Sequence, residues 1–299
     1  MRCLVIGYGS AGQRHARILK ELGHEVAAVS NHHQDAYRSI RAALCSELRE
    51  YVVIASATKE HFSDLQDLRT APFLGPVLLE KPAFIAPLRF AGSTWNTSVG
   101  YNLRFHPAVR ALRDRIAGRE LYTVQFHVGQ WLPTWRPDRN YRETDVNGVL
   151  RDLSHELDLM LWLCGWPKTL RALSGKATGL DIDSEDYAQI ICETERCPAV
   201  SVTMNYIDQW PRRWIHVNYD GGTIMADLVG NMLIETPLNG TTTTTQYHVD
   251  KDDTYRAMHQ AMIDGTDAEL LCSLDEGLQV VSLIALVESC AKMPWERAA

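Results

Sequence analysis

The chain has 299 residues, 45% of them hydrophobic and 22% charged, with a formal net charge of −7. At about 100–200 residues per domain this length favours two domains, and that much apolar material buries a sizeable core, which excludes disorder and collagen-like structure. The acidic balance argues against a non-specific binder of nucleic acid or of anionic membranes. Seven scattered cysteines without a C-x-x-C pair read as reduced thiols. No apolar run approaches the ~18 residues of a membrane span, and Leu4–Ile6 is too short for a signal peptide. A cytoplasmic location is expected.

Residues 2–6 form an apolar run that reads as a buried strand. Gly7-Tyr8-Gly9-Ser10-Ala11-Gly12 follows at once, then a helix over 11–22 that Gly23 stops. Further strands are expected at 25–29, 51–55, 76–79 and 99–105, with helices near 35–49 and 59–69. Such alternation makes parallel βαβ units. After about residue 97 the pattern changes. A strand at 121–130, hairpin signals at Asp220-Gly221-Gly222 and Asn239-Gly240, and the threonines 241–245 indicate a mainly antiparallel sheet. Helices near 152–164, 253–264 and 274–292 complete the second part.

Strand, Gly7-x-Gly9-x-x-Gly12, helix is the context in which a glycine loop binds a dinucleotide. Gly7 allows the tight turn, Gly9 lets the backbone approach a pyrophosphate, and Gly12 lets helix and strand pack closely. The helix N-terminal amides of the loop face the phosphates. An acidic residue about 20 positions on marks NAD. Here the second strand ends at Val29-Ser30-Asn31-His32-His33 with no carboxylate at its tip. Ser30 and Asn31 can donate to a 2′-phosphate, which tilts NAD(P) towards NADP. His32 and His33 read as a solvated loop, and no His/Cys/Asp cluster has the spacing of a metal site. The expected architecture is α/β plus α+β: a Rossmann domain over 1–98, then an open-sheet domain over 99–299 for substrate binding and oligomerisation.

Three more segments carry a resemblance. Val53-Ile54-Ala55-Ser56-Ala57-Thr58-Lys59-Glu60-His61, Glu80-Lys81-Pro82 and Gly148-Val149-Leu150-Arg151-Asp152-Leu153-Ser154-His155-Glu156-Leu157-Asp158 are similar, in order, to motifs of the glucose–fructose oxidoreductase / inositol dehydrogenase (Gfo/Idh/MocA) family. Ala57 stands where the family has proline. The 16 residues 83–98 are short for a crossover and imply a lost or truncated helix. Asp152 lies three residues before His155, where many members have four.

The resemblance implies a sugar or cyclitol dehydrogenase. Lys81 then bonds the reacting hydroxyl beside the nicotinamide and His155 is the acid/base, while Ala57, Thr58, His61 and Glu80 line the cofactor. The residues agree in part. His155 lies in the first turn of a helix, where the dipole disfavours imidazolium, and Asp158 either orients it or serves the domain interface. Leu153, Leu157, Met160, Leu161 and Cys164 read as the buried face. Asp152 reads as a helix N-cap or as a substrate-site acid. The stretch Trp131–Arg142 interleaves aromatics with arginines, so Trp135, Arg136 and Tyr141 suit a sugar carrying a carboxylate, a phosphate or a nucleotide. A similar stretch occurs in family members linked to surface-polysaccharide biosynthesis. Arg104 either joins that pocket or braces it. The family also implies a homodimer or homotetramer through the open sheet face. Two rival readings remain: a non-catalytic NAD(P) sensor of the same fold, and a glycoside hydrolase using bound NAD for transient oxidation.

Overall fold

The computed structural model describes residues 1–71, 73–88, 96–137 and 148–292. In chain order the elements begin with β1 (Arg2–Ile6), α1 (Ser10–Glu21), β2 (Glu25–Val29), α2 (Ile40–Ser46), β3 (Tyr51–Ile54), α3 (His61–Thr70), β4 (Val77–Leu79) and β5 (Thr97–Val99). A 3-10 turn (Asn102–Phe105) leads to α4 (Pro107–Arg115), β6 (Leu121–Gly129), α5 (Leu132–Trp135), α6 (Val149–Asp152) and α7 (His155–Cys164). Then come β7 (Pro167–Gly175), β8 (Tyr187–Thr194), β9 (Val200–Asn205), β10 (Arg212–Tyr219), β11 (Gly222–Asp227), β12 (Met232–Pro237) and β13 (Thr243–Gln246). The chain closes with α8 (Asp253–Asp264), β14 (Cys272–Ser273) and α9 (Leu274–Ala291).

The first compact unit comprises residues 1–105 and 250–281. Its sheet has the order β14-β5-β4-β3-β1-β2, parallel except for β14, which runs antiparallel to β5. This is the Rossmann arrangement read from the sequence. The central strands are buried on both faces, which is why they read as unbroken apolar runs: Leu4, Val5, Val52, Val53, Leu78 and Leu79 have no exposed surface.

The second unit comprises residues 106–249 and 282–299. Its sheet runs β13-β12-β11-β10-β6-β9-β8-β7, antiparallel except for the β6–β9 pair. One face carries Val124, Phe126, Ile190, Val202, Val217 and Ile224 into the core. Register puts Arg171, Ile191, Ser201, Gln125, His216 and Met225 in one row on the other face, where Ile191 is 64% exposed. Both Gly-marked hairpins form, at β10–β11 and β12–β13.

The structure departs from the sequence reading in four places. The contiguous division at 98/99 is replaced by a chain that returns: residues 250–281 rejoin the first unit. Ion pairs from α1 to the α8 region (Arg14 and Arg17 to Asp252, Arg256 to Glu21) and a buried His15–His259 contact hold them there. The expected strand at 99–105 stops at Val99, because Asn102 and Arg104 turn inwards to partners on the returning segment, Thr254 and Glu276. The helix near 35–49 shortens to α2, since Tyr37 bridges Val29 and the Ser39 hydroxyl caps at Ala42 N–H. The helix near 152–164 is two pieces, α6 and α7, broken at Leu153-Ser154. Residues 83–88 hold no helix, and the rest of that expected crossover, 89–95, lies outside the described residues.

Candidate functional site

Parallel β-strands end together, and this sets the first cluster. Ile6, Ile54, Leu79 and Val99 share one row of the sheet. The amides of Ala55, Glu80 and Gly100 donate to the carbonyls of Ile6, Ile54 and Leu79, so the next residues emerge side by side at the C-terminal rim. In an open α/β sheet that rim is where ligands bind. The glycine loop, the Ser56-Ala57-Thr58 turn and Glu80-Lys81 all stand on it.

The three glycines of the loop differ. Gly7 has φ +83°, and a Cβ there would strike the Ser56 backbone. A Cβ on Gly12 would strike the carbonyl oxygen of Gly7. Gly9 has φ −74°, open to any residue, and a Cβ there would meet no atom within 4 Å. Gly7 and Gly12 are therefore needed by the fold, whereas the space over Gly9 is kept clear. Gly9 is also the N-cap of α1, whose first turn holds no acidic residue, so the amides of Ser10, Ala11 and Gly12 present an uncompensated positive end there. A pyrophosphate fits this cradle. Beside the loop, a pocket of about 690 Å³ is lined by Tyr8, Ser10, Gln13, Arg14, Arg17 and His33, among others.

At the β2 tip, Ser30 works as a turn builder: its hydroxyl accepts from His32 N–H and its amide donates to Tyr37. Asn31 is exposed. The basic group beside them is Arg38, whose Nη1 donates to the Ser30 carbonyl at 3.0 Å. The sequence reading missed it because it is eight residues on and is brought back by the Val29–Tyr37 bridge.

Two residues expected at the cofactor point into the protein instead. His61 is buried, with Nδ1 3.0 Å from the Ala83 carbonyl and Nε2 3.2 Å from that of Ser56. Burial pushes this imidazole below its usual pKa against the pull of the two carbonyls, and the ring ties the Ser56 turn to the loop after Lys81. The Glu80 carboxylate accepts from His15 Nε2 at 2.7 Å and from the Lys81 amide at 3.0 Å. Burial raises its pKa, but the His15 bond and the Lys81 charge outweigh that and hold it below the usual carboxylate value. Ala57 is exposed at the rim and Thr58 half-buried beside it. Lys81 is half-buried and begins a cis peptide to Pro82.

Arg104 also belongs to the first unit. The residue is 1% exposed, and its guanidinium lies 2.9 Å from Glu276 and 3.4 Å from the Leu271 carbonyl. Of the two readings left open for it, bracing is the one its partners describe.

The second unit gathers the other cluster. Arg136 stacks over Trp135 at 4.0 Å and lies 3.5 Å from Asp152, which also accepts from the Tyr206 hydroxyl at 3.0 Å. Tyr206 was not foreseen; it is fully buried and arrives from the end of β9. Asp152 is the last residue of α6, while Ser154 holds the N-cap position of α7. His155 opens α7 and is 8% exposed. α7 is buried almost all round, with Glu156 and Asp158 inside as well as Leu157, Leu159, Met160 and Leu163, whereas Leu161 is only half-buried. Arg213 pairs with Glu156 at 2.8 Å, which makes burying that charge tolerable. The Glu185 carboxylate, raised by burial, receives the Leu150 amide, and Arg151 pairs with Glu288, so α6 is fixed at both ends. Tyr141 lies outside the described residues.

Residues 108–225 match the family model described as the GFO/IDH/MocA C-terminal domain. No curated protein matches the chain. Among solved structures, a UDP-N-acetylglucosamine 3-dehydrogenase from Acidithiobacillus ferrooxidans aligns with a TM-score of 0.79 at 20% identity, over 98% of each chain. A myo-inositol dehydrogenase from Corynebacterium glutamicum gives 0.72 at 15%, over 98% of this chain and 96% of its own. A levoglucosan dehydrogenase in complex with NADH gives 0.77 at 14%, over 97% and 96%. At such identities the structures speak to the fold. The family match is thus to the C-terminal sheet domain over residues 108–225, and the likeness along the rest of the chain is one of fold.

Proposed function

We propose that this protein is a dehydrogenase, NADP-preferring, that moves hydride between the nicotinamide and a hydroxyl or keto carbon of a sugar bearing an anionic group. The observation that carries the reading is the space kept open over Gly9, between two glycines whose space is closed, on the rim that also bears Lys81. When bound, the nicotinamide accepts the carbinol hydride or returns it. The ammonium of Lys81 bonds the substrate oxygen and steadies the negative charge that builds on it as the proton leaves, before hydride departure forms the carbonyl. His155 takes the hydroxyl proton, so that alcohol becomes ketone with one hydride and one proton removed. The Trp135–Arg136–Asp152 group, with Asp152 held by the buried Tyr206 hydroxyl, offers an indole face and a cation, which suits a sugar ring with a carboxylate or phosphate. Relatives named for UDP-N-acetylglucosamine, myo-inositol and levoglucosan support the carbohydrate class.

The preference for NADP rests on a β2 tip without a carboxylate and on Arg38 at the Ser30 carbonyl. Calorimetric titration should show the NADP pair binding at least about tenfold tighter than the NAD pair, and Arg38→Ala should erase about tenfold of that ratio, as for a hydrogen bond to a charged group. An unchanged ratio in Arg38→Ala sinks the assignment. Turnover is then sought among carboxylated, phosphorylated and nucleotide-linked sugars, with net reduced or oxidised nucleotide as the readout.

Ile191, 64% exposed on the outer face of the sheet, also supports a homo-oligomer through the open sheet face. Ile191→Lys should lower the mass measured by light scattering in solution; an unchanged oligomer places the interface elsewhere.

A further inference from the structure

Behind Lys81 lies a chain of buried polar groups that the proposed chemistry does not use. The Tyr51 hydroxyl is 2.9 Å from His259 Nδ1, His259 Nε2 is 2.9 Å from His15 Nδ1, and His15 Nε2 is 2.7 Å from Glu80 Oε1. The other carboxylate oxygen takes the Lys81 amide. Tyr51, His15 and His259 have no exposed surface. They come from β3, α1 and α8, three elements of the first unit.

The proton positions follow from the partners. A carboxylate only accepts, so His15 Nε2 carries a proton. Burial holds His259 well below its usual pKa, so that ring has a single N–H. In one arrangement every group is satisfied with neutral rings: Tyr51 O–H donates to His259 Nδ1, His259 Nε2–H to His15 Nδ1, and His15 Nε2–H to Glu80. The other arrangement needs one more proton on His15 and turns the first two bonds round. The bond to Glu80 is the same in both. Two imidazoles and a phenol buried to place one N–H against one carboxylate are a costly way to fill space, since Leu or Phe would pack there without a polar group to satisfy.

We propose that His15 is a positioning residue for the reaction, its tautomer set by His259 and Tyr51. It keeps Glu80 ionised and in place, and Glu80 in turn holds the Lys81 backbone at the rim. This rests on the dehydrogenase reading above. The other ionisable groups around the network are His61 and Lys81, which interact with Glu80, Tyr255, which packs edge-on against His15 at 5.6 Å under Arg14, Cys3 near Tyr51 and His24 near His259.

The test compares His15→Gln with His15→Asn in the full-length protein. A glutamine amide reaches the place of Nε2 and keeps the donor to Glu80. An asparagine amide reaches the place of Nδ1 and keeps only the His259 end. Expected for Asn is a kcat lower by about tenfold or more, as for a misplaced reacting group, with dinucleotide Kd and substrate KM within about threefold. Its acid limb of kcat should move up by about one pH unit, because without the His15 donor only Lys81 opposes the burial that raises the Glu80 pKa. Gln should stay within about threefold of the wild type with an unmoved limb. Nitrogen NMR of the wild type should place a proton on Nε2 of both rings near neutral pH. Equal kinetics in the two variants, an unmoved limb in Asn, or His15 protonated on Nδ1 alone overturns the proposal. A wild-type protein that turns over no sugar overturns the dehydrogenase reading instead, and the NMR result then stands apart from it.

Discussion

Gly9→Val is expected to lose dinucleotide affinity by about two orders of magnitude or more, roughly 2.8 kcal/mol at 1.4 per tenfold. Its thermal midpoint is expected to stay within about 2 °C of the wild type, since a Cβ at that position meets no atom within 4 Å and φ is −74°. The contrast is Gly12→Ala, whose Cβ collides with the Gly7 carbonyl oxygen. That variant should lose about 1–3 kcal/mol of stability through overpacking. Calorimetry and thermal unfolding of the two side by side separate a glycine kept for a ligand from a glycine kept for the fold. Undiminished affinity in Gly9→Val means that the clear space serves something other than a pyrophosphate.

Lys81→Met is the second large effect. Methionine keeps the length of the apolar stem and removes the cation. Turnover is expected to fall by about 10²–10³-fold, the usual loss when a donor to a developing oxyanion is removed. Dinucleotide affinity should stay within about threefold, because the phosphate cradle on α1 is untouched. Full turnover in that variant rules out the role given to Lys81. A wild-type protein that binds dinucleotide and turns nothing over is a sensor. One that cleaves a glycoside with no net change in nucleotide is the hydrolase alternative.

The residues that were legible lie where local pattern and function coincide. β1, β2 and α8 fall at the bounds read for them from the sequence. Gly7, Gly9 and Gly12 could be assigned different tasks from spacing alone, and the steric surroundings of each differ in the fold. The site was less legible. His61 and Glu80 stand in the right motifs but face inwards, because motif order fixes position along the chain and says nothing of which way a side chain turns. Arg104 looked like a pocket cation until its carboxylate partner appeared 172 residues later. Arg38, Tyr206 and His259 had no signal at all, since each is brought to its partners by pairing or packing across the chain.

The sequence by itself determined the parallel α/β domain, the antiparallel domain after it, the glycine loop and the rim carrying Lys81. These depend on residues close together in the chain, where steric rules and hydrophobic period act directly. Only the tertiary structure decided that residues 250–281 return to the first unit, that α6 and α7 are separate, and that a buried line of four side chains ends on Glu80. The reason is physical: a buried polar group must be satisfied by whichever partner the fold brings to it, and for His15 that partner is His259, 244 residues away.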